Sequence, residues 1–308
     1  MSKINSYKIA IIGLVILMVG LFAFLLSSIS KHKLSNRTTN LRLQIVTSFY
    51  PIYFFTTQIV QNKADVHNIT PAGAEPHDYE PTSRDMAKIE NSDILIINGG
   101  KFEGWSENIK NILNGQNSTI LNISENLLAQ NIGGSDPHFW LDPVLAKNEV
   151  DIITKKLIEK DPVNFQFYSD NSKILIKKLD NLNNEFILGL ANCKNREIIT
   201  SHSAFGYLAH EYGLNQTSVS GLSPDEEPSP KKIAEIAKYA RDNKVQYIFF
   251  ESLVSPKLAE TIAQEIRAKT LVLNPIEGIT EKEIVDGKNY FTEMQQNLIN
   301  LKIALQCQ

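Results

Sequence analysis

The 308 residues of this chain predict an α/β fold of two lobes, each a mainly parallel four-stranded sheet with flanking helices, joined by one long helix. Three observations carry that prediction. From residue 42 onward, short apolar runs bounded by turn residues alternate with helical patterns. The alternation stops at a helical stretch over 165–190 that is long for a globular helix, and it restarts after Cys193. Strands separated by helical crossovers run parallel and are covered on both faces. The length also suits two units of roughly 100 to 150 residues better than one small core.

Residues 43–48 read as the first strand and 51–61 as a helix opened by Pro51, whose missing N–H is harmless in a first turn. A short strand over 66–70 leads into a polar loop. Ser83 can cap a helix running through residue 89. The run Asp-Ile-Leu-Ile-Ile-Asn over 93–98 reads as a buried strand ending at Gly99-Gly100. A helix over 105–113 and a strand over 119–123 come next, then a loop to His138. The helix over 144–160 is interrupted by Asp161-Pro162. Phe165, Tyr168, Ile174, Ile176, Leu179, Leu182 and Phe186 are the apolar positions of the long stretch, which can cover a sheet but is long enough to be a strut between lobes.

Beyond Cys193 come a strand over 196–200, a helix over 205–212 stopped by Gly213, and a strand over 217–220. A proline-rich acidic loop over 223–230 leads to a helix over 231–241 and a strand over 245–250 ending at Glu251. A helix over 256–268, a strand over 270–273 and a helix over 290–305 complete the chain. The division expected is a signal or anchor segment with its tether over 1–41, a first lobe over 42–162, a linking helix over 163–192 and a second lobe over 193–308.

Composition is that of a globular protein, with 43% hydrophobic and 21% charged residues. A net charge of −3 gives no hint of nucleic-acid binding, and no basic run interleaved with aromatics occurs, so no nucleic-acid partner is expected. At the N-terminus, Lys3 and Lys8 precede an uncharged run over 9–26, long enough to span about 27 Å as a helix. This reads as an export signal or membrane anchor, with Ser28-Ile29-Ser30 a passable cleavage site. No cysteine comes directly after the run, so lipidation there is not expected. Lys31, Lys33, Arg37 and Arg42 put more positive charge after the run than before it, which opposes export of the C-terminal part. That part nevertheless reads as extracytoplasmic, either anchored or secreted after signal cleavage. Cys193 and Cys307 are the two cysteines: separate thiols in a reducing compartment, or one disulfide closing the C-terminal half in an exported protein.

Three of the six histidines sit in short polar signatures behind apolar runs. They are His77 in Glu-Pro-His-Asp-Tyr-Glu-Pro-Thr, His138 in Asp-Pro-His-Phe-Trp-Leu-Asp-Pro and His202 in Thr-Ser-His-Ser-Ala-Phe-Gly-Tyr. Ligands of open α/β sheets bind beyond the carboxyl ends of the strands, and all three histidines lie in such loops, two in the first lobe and one in the second. Three imidazoles converging on one cleft imply a transition metal. Asp78, Asp136 and Asp142 are near enough in sequence to orient a ring by accepting its second N–H. His32 in the tether, His67 within a strand and His210 on a helix are given no role.

These signatures, together with Leu-Asn-Pro-Ile-Glu-Gly-Ile-Thr over 273–280, resemble the zinc/manganese solute-binding proteins of ABC transporters (cluster A-I), over roughly residues 43–308. The resemblance implies two lobes about one linking helix, here 165–190, with a metal between them. It implies four ligands: His77, His138, His202 and a fourth that maps to Glu277, with Glu251 and water as rivals for that place. Glu251 is otherwise a group that orients a ligand. Manganese members typically have a carboxylate where His202 stands. Cys307 is similar to a C-terminal cysteine common among zinc members, which favours the disulfide with Cys193. Two features depart from the family: no histidine occurs over 100–134, where many zinc members carry a His-rich loop, and no lipidated cysteine is evident.

Three nitrogens and one oxygen favour Zn2+ over Mn2+. The function expected is therefore capture of zinc between lobes and delivery to an ABC permease in the membrane, by a monomer. A manganese or iron carrier of the same family is the alternative. A zinc hydrolase is disfavoured, because no His-Glu-x-x-His pair or nucleophile elbow is present, and an adhesive surface protein is disfavoured alongside it.

Overall fold

The computed structural model describes residues 42–113, 118–224 and 228–308. The run over 9–26, the tether with His32 and the middle of the acidic loop 223–230 lie outside them. Among the described residues, no helix is long and apolar enough to cross a membrane.

The first lobe is a four-stranded parallel sheet in the order β2-β1-β3-β4, formed by β1 (Leu43–Thr47), β2 (Ala64–Asn68), β3 (Ile94–Ile97) and β4 (Thr119–Asn122). Ile45 is opposite both Val66 and Ile94, and Ile94 is opposite Thr119. All four residues of β3 are buried, as a central parallel strand requires. The crossovers are α1 (Tyr50–Val60), α2 (Ser83–Glu90) and α3 (Ser106–Ile112). Thr82 rather than Ser83 caps α2, through a capping box with Asp85. A further helix, α4 (Ile123–Ala129), starts directly after the last residue of β4. Asn122 caps it by accepting from Glu125 N at 3.0 Å, so the expected strand end at 123 is the start of a helix.

A 3₁₀ turn, Phe139–Leu141, leads to α5 (Pro143–Lys160), and a second, Pro162–Asn164, leads to the linking helix α6 (Phe165–Leu190). The 26 residues of α6 extend about 39 Å. Its buried seam is Tyr168, Ser172, Leu175, Leu179, Leu182, Phe186 and Leu190. That spacing of three and four residues is one helix face, and it packs on α1 and α5. Phe165 and Ile174, expected among the apolar positions, are instead more than half exposed.

The second lobe also has four strands: β5 (Glu197–Thr200), β6 (Asn215–Ser218), β7 (Tyr247–Phe250) and β8 (Lys269–Val272). They pair as two parallel ladders, β5 with β6 and β7 with β8, rather than as one hydrogen-bonded sheet. β5 and β7 lie side by side, and Ser201 Oγ donates to Phe249 O at 3.3 Å. The helices are α7 (Gly206–Glu211), α8 (Pro230–Asp242), α9 (Lys257–Ile266), a short α10 (Glu281–Val285) and α11 (Tyr290–Leu305). α11 packs on α6 and β8, while Tyr290 at its start reaches Phe54 and Phe55 of α1. One apolar core accordingly includes residues of both lobes, among them Phe49, Trp140, Phe186, Phe249 and Leu273.

Cys193 and Cys307 form a disulfide across 114 residues of sequence, tying the end of α11 to the entry of the second lobe. A loop of that length places the entropic stabilisation near the top of the usual range, about 4–5 kcal/mol. Reduction, or Cys307→Ser, should therefore lower the unfolding free energy by that order, and the urea midpoint by that energy divided by the m-value, on the order of 2 M. An unchanged midpoint would show that the bridge constrains nothing in the unfolded chain.

Candidate metal centre

Each of the four candidate ligands is delivered by a different loop. His77 lies in the loop after β2, where pairing with the first strand continues through Ile69 N to Thr47 O and Thr70 N to Ser48 O. Its ring packs edge-on against Phe102, centroids 4.4 Å apart. His138 does not come directly after a strand, as expected, because α4 intervenes. Its loop is instead returned to the sheet by Asn98 at the end of β3, whose Nδ2 donates to Pro137 O at 2.9 Å. Asn98 N and Gly99 N in turn donate to the buried Glu103 carboxylate at 2.7 and 2.9 Å. His202 lies two residues past β5, and its carbonyl accepts from Thr200 Oγ1 at 2.7 Å and Gln216 Nε2 at 3.1 Å. Glu277 comes from the turn after β8.

The four side chains meet. Glu277 Oε1 lies 3.4 Å from His77 Nε2 and 3.3 Å from the Nε2 atoms of both His138 and His202. His138 Nε2 and His202 Nε2 are 3.4 Å apart, and one ligand atom from each residue falls within 4.8 Å of all the others. Charge-assisted hydrogen bonds would be shorter, about 2.7–2.9 Å. A tetrahedron with ligands about 2.0–2.1 Å from its centre has edges of about 3.3–3.4 Å. Four of the six edges carry that length here, and His77 Nε2 and both Glu277 oxygens lack a hydrogen-bond partner. A small cation of tetrahedral preference fits this arrangement.

Carboxylates behind the rings fix which nitrogen faces the centre. Asp136 Oδ1 lies 2.7 Å from His138 Nδ1 and also accepts from His138 N at 3.0 Å. Glu251, just past β7, repeats the device on His202, at 2.7 Å from Nδ1 and 3.1 Å from the backbone N. An Nδ1–H bound to a carboxylate leaves the Nε2 lone pair free to ligate and raises its basicity. Glu251 thus sits behind His202, whereas Glu277 faces all three rings.

The electrostatics describe a cluster that demands positive charge. Glu277 is 1% exposed, and burial opposes its charge, yet His202 and the other two rings hold its carboxyl well below the usual range. Burial opposes protonation of His202, but Glu277 and Glu251 hold its pKa well above the ordinary value. His138 is raised likewise against burial, by Asp136 and Glu277. Each shift favours positive charge on the rings beside the buried carboxylate.

Two other acids named from the sequence lie elsewhere. Asp142 caps α5, accepting from Val144 N at 2.8 Å, and burial pushes its carboxyl up to about 6. Asp78 is exposed. Sequence reasoning missed Glu75, although it lies two residues before His77. It accepts from His77 N at 3.2 Å, and burial followed by the charge of Glu277 pushes it up to about 8.

Comparison with known proteins gives a consistent picture. The family model described as "Zinc-uptake complex component A periplasmic" matches residues 45–304. The high-affinity zinc uptake system protein ZnuA of Bacillus subtilis is 40% identical over 282 residues, which covers 86% of this chain and 88% of that protein. The zinc-binding protein AdcA of Streptococcus pyogenes is 36% identical over 85% of this chain, which spans only 56% of that longer relative. The crystal structure of the Zn(II)-bound ZnuA-like domain of Streptococcus pneumoniae AdcA matches with a TM-score of 0.75 at 37% identity, covering 86% of this chain and 99% of that one. The extent of the family match and the identity across nearly the whole length of the Bacillus protein establish that this chain belongs to the ZnuA family of zinc-uptake components.

Proposed function

We propose that His77, His138, His202 and Glu277 hold a zinc ion between the lobes, and that the protein carries it outside the cytoplasmic membrane to an ABC permease. The observation that carries this reading is the convergence of three Nε2 atoms and one carboxylate oxygen at spacings of 3.3–3.4 Å. In this reading the lobes are residues 42–162 and 193–308 about the linking helix 163–192. The protein acts as a monomer, exported by the 9–26 segment and either anchored by it or released after cleavage.

The donor set argues for zinc. Three imidazoles and one carboxylate suit its tetrahedral preference, whereas Mn2+ favours oxygen-rich sites with more ligands. The set also argues for carriage over hydrolysis. Four protein ligands complete the coordination, while a catalytic zinc keeps one position for water. The protein's own part is to desolvate the ion, orient the rings through Asp136 and Glu251, and match one carboxylate to it.

The roles of the two glutamates separate by substitution. Glu277→Ala should remove a ligand and a charge, and weaken zinc more than Glu251→Ala, whose loss acts through His202 and belongs to the roughly 10- to 100-fold class of outer partners. Isothermal titration with zinc on both variants checks this, and the opposite ranking would make Glu251 the ligand. His202→Glu should weaken zinc more than manganese, because it makes the site harder and richer in oxygen. Competition titrations with the two metals read the ratio, and a rise in zinc preference would refute the assignment.

Protons compete with the metal for the same nitrogens. Because His138 and His202 are raised in the metal-free site, competition begins above the ordinary imidazole value of about 6.5. Zinc affinity should fall continuously between about pH 7.5 and about pH 5.5, with protons released on binding. Equal affinities at the two values would mean that the imidazoles are not the ligands.

A further inference from the structure

The turn that delivers Glu277 is strained. Ile276 has φ +58°, a left-handed conformation that β-branched residues rarely adopt, and it is fully buried. Such a residue persists only where its surroundings over-determine it. Within the second lobe, the start of the turn is fixed to α11. Asn274 N donates to Asn297 Oδ1 at 2.8 Å, Asn297 Nδ2 to Asn274 O at 2.6 Å, and Asn274 Nδ2 to Glu293 Oε2 at 2.9 Å. Ile276 N donates to Asn274 Oδ1 at 2.8 Å.

The peptide between these anchors and Glu277 is held from the other lobe. The Trp140 indole N–H donates to Pro275 O at 2.7 Å, one residue before the left-handed position. Trp140 lies on the 3₁₀ turn two residues past His138. Its ring packs edge-on against Phe49, with centroids 4.6 Å apart, and lies tilted against the His138 ring at 5.2 Å. Its carbonyl accepts from Tyr290 Oη at 2.5 Å. The donor is therefore rigid, and one side chain connects the loop of His138 to the turn of Glu277.

We infer that Trp140 is a positioning residue for the fourth ligand: its N–H holds the 274–277 turn in its left-handed form and so keeps the Glu277 carboxylate facing the three histidines. This rests on the metal site proposed above. Trp140 touches no metal, and its apolar ring has a separate role in the core. The two roles are separable, because the benzothiophene analogue of tryptophan keeps the shape and loses only the bond, whereas Trp140→Phe loses the bond together with some buried volume. Without that bond, Ile276 can relax to a negative φ, and Glu277 withdraws from a site that three imidazoles still hold. The loss should therefore appear chiefly in how fast the ion leaves.

The test uses the full-length protein with Trp140→Phe, Glu277→Gln and the double variant. Zinc dissociation is measured by chelator competition, and Co2+ in place of zinc reports coordination through its visible absorption. Trp140→Phe should release zinc roughly 3- to 10-fold faster, the effect of one hydrogen bond. It should also shift the Co2+ spectrum in the same direction as Glu277→Gln, a readout that core packing would not move. In the double variant, Trp140→Phe should add nothing to Glu277→Gln, since both act through one carboxylate. Additive effects, or a Co2+ spectrum identical to that of the unaltered protein, would overturn the inference. If Trp140→Phe does not fold, the benzothiophene analogue of tryptophan placed at position 140 keeps the shape without the N–H and gives the same comparison. If the unaltered protein binds no zinc, or if variants lacking the histidines bind it as tightly as the unaltered protein does, it is the proposed metal site that fails. If zinc binds and Glu277→Gln weakens it while the residue 140 variants do not, only the role of Trp140 fails.

Discussion

A carboxylate buried to 1% exposure among three imidazole nitrogens is a charge that must be compensated locally. Removing an ion from water carries a penalty of several kcal/mol even after relaxation, so an ionised Glu277 is tolerable only beside a cation. The raised pKa values of His138 and His202 and the depressed one of Glu277 are one fact seen from different atoms. The cluster binds positive charge, and protons and metal compete to supply it. Glu75, raised to about 8, lies close enough to feel the same field.

The parallel strands explain why such a cluster can be assembled. A parallel sheet gathers the ends of its strands at one edge, and loops leaving that edge can be held by strand-end groups. Glu251 does this for His202 directly from the end of β7. Asn98 does it for the His138 loop from the end of β3, although that loop leaves a helix. The candidate ligands therefore stand on supports that are rigid for backbone reasons, while Asp136 and Glu251 favour the ring tautomers with Nε2 turned inward.

The alternation of strands and helices, and the signatures around His77, His138 and His202, were legible in the sequence because they depend on local pattern. Less local features were not. The helix after β4 was hidden because Asn122 ends a strand and caps a helix at once, and an apolar Ile123 suits either element. The exposure of Phe165 and Ile174 depends on which face of α6 meets α5, which hydrophobicity alone does not fix. The split of the second lobe into two ladders is a matter of strand separation, to which periodicity is blind. The different placements of Glu251 behind His202 and of Glu277 among the three rings were hidden as well, since both residues come after strands and both are buried. The left-handed Ile276 runs against local propensity altogether, and a residue that defies its own preference cannot be read from it.

A carrier with a closed site has to release what it binds, and the division of ligands between lobes addresses that. His77 and His138 stand on the first lobe, His202 and Glu277 on the second. In the proposed carrier, a relative shift of the lobes removes ligands in pairs rather than one by one. Half of the coordination shell is lost together, and water can enter the cluster as it opens. Once hydrated, Glu277 no longer needs its cation, because solvent replaces the compensation that burial had denied it. The burial that makes the closed site demand a metal is thus what lets the opened site give it up.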